Sequence, residues 1–282
     1  MSFRAYRTRS TLVFGSLALL VSAAAVRDVP AEEVKPIKAL LVLGGCCHDY
    51  EKQKDLLAEG ISARAHVEVT ISYSPDKTTK VLNPVYERPD WANGFDVVIH
   101  DECTSDVKNV DIINRILEPH RQGLPGVVLH CGMHCYRSEG YPDSITPWFA
   151  FTGLQSTGHG PQSPIAVSLI DSASPITQGF GDWTTVKEEL YNNLKVFPTA
   201  HPLIRGKQVV KRRDGTEKTE DFVVAWANEF GKARVFSTTL GHNNVTVGDA
   251  RYLDLVTRGL LWSCGKLAAD GKPVAGYEAV KQ

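Results

Sequence analysis

The chain has 282 residues, with 31 Lys+Arg against 32 Asp+Glu and a formal charge of −1. That length suits one large α/β domain behind a leader, and the even charge balance sets aside nucleic acid, which selects a basic face. Six cysteines are too few for a disulfide scaffold in a chain of this length.

Residues 1–25 carry Arg4, Arg7 and Arg9, then TLVFGSLALLVSAAA, with Ala23 and Ala25 in an A-x-A pattern. This predicts a secretory signal peptide, and hence an exported protein, periplasmic or secreted, with no membrane attachment after cleavage. The alternative is an uncleaved anchor helix, but the apolar run falls short of the ~20 residues a span needs. Residues 26–36, polar and marked by Pro30 and Pro36, predict a linker.

IKALLVLGG (37–45) is a continuous apolar run closed by two glycines, the pattern of a strand buried on both faces. Residues 50–65 predict a helix, with Leu56, Leu57 and Ile61 on one side. HVEVTISY (66–73) alternates and predicts a second strand, and the proline-marked 74–94 a loop. FDVVIH (95–100) predicts a third strand, 107–122 a helix and GVVLH (126–130) a fourth strand. Further strands are expected at 164–170, 221–230 and 234–241, and a closing helix at 249–264. Strands alternating with helices predict an α/β three-layer sandwich with a mostly parallel central sheet.

In such a sheet, ligands bind outside the carboxyl ends of the strands. Here the first strand ends in His48, Asp49 and Tyr50, and the third in His100, Asp101 and Glu102. The fourth runs into His130, His134, Tyr136 and Arg137, and a late strand into His242, Asn243 and Asn244. His159 lies between them in the loop STGHGPQS. One strand-terminal histidine is usually a cap or a core residue, whereas several on one rim point to a site. His66, His120 and His201 lack this placement and read as structural or surface residues. VKEELYNN (186–193) groups Glu188, Glu189, Tyr191 and Asn192; it fits either sugar-hydroxyl binding and acid/base chemistry or a solvated turn. Cys46 and Cys47 are adjacent and Cys131 and Cys135 lie four apart. Neither spacing is the C-x-x-C of a zinc or redox motif.

LLVLGGCCHDY, VVLHCGMHCYR, TGLQSTGHG, SPITQGF, EELYNN and GKARVFSTTLGHN together resemble the ThuA-like domain of the trehalose-utilisation family, over residues 37–266 with a tail at 267–282. The resemblance implies a flavodoxin-like, class I glutamine amidotransferase-like fold. It also implies a role in disaccharide or glycoside catabolism, with 3-keto-glycosides as substrates and a functional link to a sugar 3-dehydrogenase. Amidotransferases of this fold carry their nucleophilic cysteine in G-x-C-x-G. Here Cys131 stands in LHCGM, flanked by Leu129 and Met133, and His242 stands in GHNN with no glutamate two residues on. Amidase chemistry is therefore not expected.

The resulting expectation is a carbohydrate-active enzyme acting on a glycoside or 3-keto-glycoside by hydrolysis, elimination or isomerisation. His48, Glu102, His134 and His242 are the candidate catalytic residues. Arg137, His159, Glu189, Tyr191 and Asn243 are the candidate substrate-binding residues. A divalent transition metal is the candidate cofactor, with His48, His134 and His159 as candidate ligands; Zn, Ni, Fe and Mn suit imidazoles and a carboxylate comparably. The rival expectation is a non-catalytic sugar-binding accessory protein on a degenerate amidotransferase-like fold.

Overall fold

A computed structural model describes residues 1–2, 34–211 and 214–280. The expected signal peptide at 1–25 and most of the linker lie outside the described residues. Among the described residues no helix is long and apolar enough to cross a membrane.

The parallel half of the sheet follows the sequence closely. It comprises β1 (Ile37–Gly45), β2 (Val67–Ser74), β3 (Val97–Cys103) and β4 (Gly126–Leu129). β1 pairs in parallel with β2 and with β3, and β3 with β4. Every residue of β1 except Lys38 is buried, as its continuous apolar run requires. β2 is an edge strand, buried at its two ends, Val67 and Ser74, and partly exposed between them.

The second half is antiparallel. β6 (Ala166–Leu169), β7 (Trp183–Thr184), β9 (Ala200–Lys211), β10 (Glu217–Phe230) and β11 (Ala233–Thr238) extend the sheet. The strand order is β2-β1-β3-β4-β11-β10-β9-β6-β7. β11 runs parallel to β4 and antiparallel to β10, so it joins the halves. β5 (Leu154–Gln155) and β8 (Lys195–Val196) form a separate small ribbon. β9 has no counterpart among the predicted strands, and its run contains Pro202 and Gly206, residues that strand interiors disfavour. Pro202 lies opposite Trp226 beside a register shift, where a missing ladder N–H is tolerated. Gly206 is packed so closely that a Cβ would lie 2.7 Å from Ile165 and 2.8 Å from Val224.

Helices cover both faces and complete the three layers. α1 (Tyr50–Ser62) and α5 (Ala250–Ser263) pack on one side, burying Leu57, Ile61, Leu255 and Leu260 against Leu41, Leu43 and Phe236. α2 (Val110–Gln122) and α3 (Pro147–Thr152) cover the other, burying Ile113, Ile116, Leu117, Trp148 and Phe151 against Leu40, Val42 and Val98. α2 opens where Asn109 accepts hydrogen bonds from the backbone N–H of Asp111 and Ile112, a typical N-cap. α4 (Asn244–Val247) is a single turn after β11. The segment expected as a tail packs back on the domain: the His66 N–H donates to the Tyr277 carbonyl at 2.9 Å.

Candidate active site

β1 ends at Gly44 and Gly45, whose φ angles are +133° and +98°. A Cβ on Gly44 would meet the Ser74 backbone, and one on Gly45 the Cys103 backbone. Glycine is therefore required for the chain to leave the sheet here, and the turn presents His48 directly above the strand end. β4 ends in a tight turn, His130–His134, that begins with His130 at φ +41°. A left-handed histidine is uncommon, and strained backbone of this kind concentrates at functional sites. His242 follows β11 in a loop held by the buried Glu188. That carboxylate accepts the backbone N–H groups of Gly241, His242 and Asn243 at 3.3, 3.0 and 3.0 Å.

These turns converge. One ring nitrogen each of His48, His130 and His242 lie within 4.8 Å of one another. The His48 ring stands edge-on to both others, with centroids 4.6 Å from His130 and 5.0 Å from His242. Buried Glu189 reaches into the cluster. Its Oε1 is 3.3 Å from His242 Nδ1, and its Oε2 is 3.5 Å from His130 Nε2 and 3.6 Å from His159 Nε2. Gln162 donates to Glu189 Oε1 at 3.0 Å and fixes the carboxylate.

His130 Nδ1 lies 2.6 Å from the Thr239 carbonyl oxygen. A carbonyl only accepts, so Nδ1 carries a hydrogen and the ring is oriented with Nε2 toward the cluster. His159 is set the same way: Nδ1 donates to the Gly160 carbonyl at 2.8 Å, and Nε2 faces Glu189. Burial, then the neighbouring His130 and His242, push His48 down to about 2. Burial lowers His242 as well. Burial would raise Glu189, but hydrogen bonding and charge from His130, with Gln162 and His159, hold it down to about 2. The result is an ionised carboxylate beside two imidazoles, His48 and His242, that resist protonation.

Tyr191 forms the back wall. Its ring is stacked on His134 at 4.2 Å and 2°, and on His159 at 5.6 Å and 23°. Its hydroxyl lies 3.4 Å from His130 Nε2. A cavity of about 670 Å³ opens on the cluster through His48 and His242, walled by Cys47, Tyr73, Asp76 and Lys77. It lies over the ends of β1 and β2, beside the reversal of strand order where α/β sheets place ligands.

The family model for trehalose utilisation, ThuA, matches residues 38–263. The chain belongs to the ThuA family. No curated protein sequence matches it. Among solved structures it is similar to a ThuA-like protein from Parabacteroides merdae at 19% identity and TM-score 0.60, covering 86% of this chain and 97% of that one. A ThuA-like protein from Bacteroides uniformis gives 15% identity and TM-score 0.58, covering 86% and 98%. A β-galactosidase from Rahnella sp. R3 gives 13% identity and TM-score 0.51, covering 83% of this chain and 32% of that one. At such identities the likeness shows the fold, an α/β sandwich shared with ThuA-like proteins.

Within this ThuA domain the expected site residues divide. His48, His242, Glu189, Tyr191 and His159 come together as described. His134 does not join the imidazole cluster. It stacks behind Tyr191, and its Nε2 pairs with the Ser156 hydroxyl at 2.8 Å. Burial, then the Arg137 and His130 charges, hold His134 well below the usual histidine range. Arg137 packs over the Tyr141 ring at 4.8 Å. Asn243 caps α4, accepting from the Val245 N–H at 2.9 Å.

The expected acid/base role of Glu102 needs correction. β3 continues three residues beyond its predicted end, so Glu102 points into the opposite core rather than to the rim. It is 1% exposed and accepts from the hydroxyls of Tyr86 and Tyr136 at 2.9 and 2.8 Å. His100 Nδ1 is 3.2 Å away, and His100 Nε2 is 3.1 Å from His120 Nε2. His100 and His120 are thus core residues of a buried polar chain. His130 is the site residue missing from the expected set. Its signal was the one used for His48 and His242: it ends a parallel strand, and β4 lies next to β11.

Proposed function

We propose that this ThuA protein is a divalent-metal-dependent enzyme acting on a glycoside or 3-keto-glycoside. The observation that carries the reading is the convergence of His48, His130 and His242 with the Glu189 carboxylate. The residues fit a metal. His48 Nδ1 is buried without a hydrogen-bond partner, and an orphaned buried nitrogen is costly unless something occupies it. The His130 ring is oriented by a backbone carbonyl, as metal-bound imidazoles usually are. Three imidazoles and one carboxylate suit zinc or another first-row ion.

A bound divalent ion would stabilise negative charge developing on sugar oxygens. The chain's own residues supply the rest. A keto group at C3 acidifies the proton at C2. His159, 41% exposed, presents a basic Nε2 to remove it, with Glu189 beside it to stabilise the imidazolium. Loss of the C1 substituent completes elimination, and addition of water completes hydrolysis. Tyr191, 1% exposed and stacked on His134 and His159, holds the His159 ring in place from behind. The family's trehalose-utilisation description supports the sugar assignment. Export, suggested by residues 1–25, and supply of keto-sugars by a sugar 3-dehydrogenase belong to the same proposal.

The test is metal content and turnover together. Protein purified without chelator is expected to hold about one transition-metal ion per chain, with loss in both His48→Ala and His242→Ala. An aryl 3-keto-glucoside should release its phenol with wild-type protein and not with either variant. Metal-free protein that binds sugars saturably and turns over none would replace this reading with the accessory sugar-binding one.

A further inference from the structure

Four of the six cysteines collect directly beneath the imidazoles. Cys46 and Cys47 are disulfide-bonded to each other, and so are Cys103 and Cys131. The two bonds touch: Cys46 Sγ lies 3.4 Å from Cys103 Sγ. Cys47 is exposed on the cavity wall, whereas Cys103 and Cys131 are 5% and 6% exposed. The sulfurs therefore form a connected, bent chain from solvent to core, in the order Cys47, Cys46, Cys103, Cys131. Both ends abut the site, since Cys47 precedes His48 and Cys131 follows His130 in the chain.

We propose that these four cysteines form a thiol–disulfide relay, carrying reduction from exposed Cys47 to the buried turn that holds His130. The first step needs an external dithiol reductant. It breaks the Cys46–Cys47 bond, is itself oxidised to a disulfide, and leaves a thiol on each cysteine. The Cys46 sulfur then attacks its neighbour, the Cys103 sulfur. A Cys46–Cys103 bond forms, the Cys103–Cys131 bond breaks, and its electron pair leaves on Cys131, which takes up the proton. Such exchange requires only that the attacking sulfur reach the disulfide, and Cys46 is already in contact with it. The thiol produced at the surface thus reappears in the core, on the residue after His130. The His130 turn loses its tie to β3, while the His48 turn gains one. Both histidines stay in the chain, but the geometry between them comes under control of the sulfur pairing.

The experiment is disulfide mapping of the full-length protein. Wild-type protein is treated with one equivalent of a dithiol, quenched in acid, alkylated under denaturation and digested for mass spectrometry. Cys135 and Cys264 are free throughout and serve as internal controls. The expected new labels fall on Cys47 and Cys131, with a Cys46–Cys103 cross-link. Labels on Cys46 and Cys47, with Cys103–Cys131 intact, overturn the relay. Cys47→Ser gives an independent arm, because it leaves Cys46 unpaired without any reductant. That variant should isolate with the Cys46–Cys103 bond and a free Cys131; a retained Cys103–Cys131 bond beside a labelled Cys46 is the opposing result. The readout is sulfur pairing alone, so it stands apart from the metal and sugar chemistry.

Discussion

Glu189 faces His242 with one carboxylate oxygen and His130 with the other, at 3.3 and 3.5 Å. The carboxylate therefore spans two strand ends, β11 and β4, that the fold brings side by side. Glu189→Gln keeps the shape and removes the charge. We expect it to weaken binding of zinc or cobalt by about 10–100-fold, the usual effect of removing a group that orients metal-bound imidazoles. Calorimetric titration of the metal-free protein measures this, and unchanged affinity would take Glu189 out of the site.

Glu102 should behave in the opposite way. It accepts from two buried tyrosine hydroxyls, and truncation strands both. Glu102→Ala is expected to cost about 3 kcal/mol of stability in urea unfolding, at roughly 1–3 kcal/mol for each buried group left unpaired. Metal affinity at the imidazole cluster should change little. A stable variant that cannot bind metal would return Glu102 to the site.

His120 predicts an acid sensitivity. Burial, then the adjacent His100, push it down to about 3, against a smaller opposing effect from its bond to the Leu124 carbonyl. The unfolded chain takes up this proton as pH falls through about 6.5, whereas the folded chain does not until about 3. The contribution to stability is complete above the unfolded value and is lost progressively as pH falls between the two. Melting temperature should therefore fall from pH 7.5 to pH 5, and less steeply in His120→Gln. Parallel slopes in the two proteins would sink the assignment.

Gly132 sits where the His130–His134 turn crosses β3. A Cβ there would lie 2.7 Å from the His100 carbonyl oxygen, a backbone atom that cannot swing away. Gly132→Ala is expected to destabilise by about 1–3 kcal/mol, the usual range for overpacking. It should also weaken metal binding, because the turn must lift. Chemical denaturation with metal titration on the same sample would show whether the two losses occur together.

The parallel half of the fold was legible because its strands are buried on both faces, and IKALLVLGG and GVVLH show that as unbroken apolar runs. β9 was not, since Pro202 and Gly206 are tolerated there only by a register shift and close packing that appear in three dimensions. The rim was legible as a set of strand-terminal histidines, but not the direction of each side chain. One residue of strand length separates a rim position from a core position, because successive side chains alternate faces. That alternation is why Glu102 and His100 entered the core. It also left His130 without a readable direction, since its place in the cluster depends on a left-handed backbone at one residue. Glu188 and Glu189 are neighbours in sequence with different work: one holds a loop, the other faces the imidazoles, and composition alone does not separate them.

β11 is the last strand to leave the ribosome and yet lies between β4 and β10. Until it inserts, the two halves of the sheet share no ladder, and His242, four residues past its end, has nowhere to go. Contacts between distant parts of a chain are slow to form, so the imidazole cluster is expected to be completed in the closing stage of folding. A nascent or clipped chain lacking this strand would keep His48 and His130 but no third imidazole. Tight metal uptake in this protein would then be a certificate of a finished molecule.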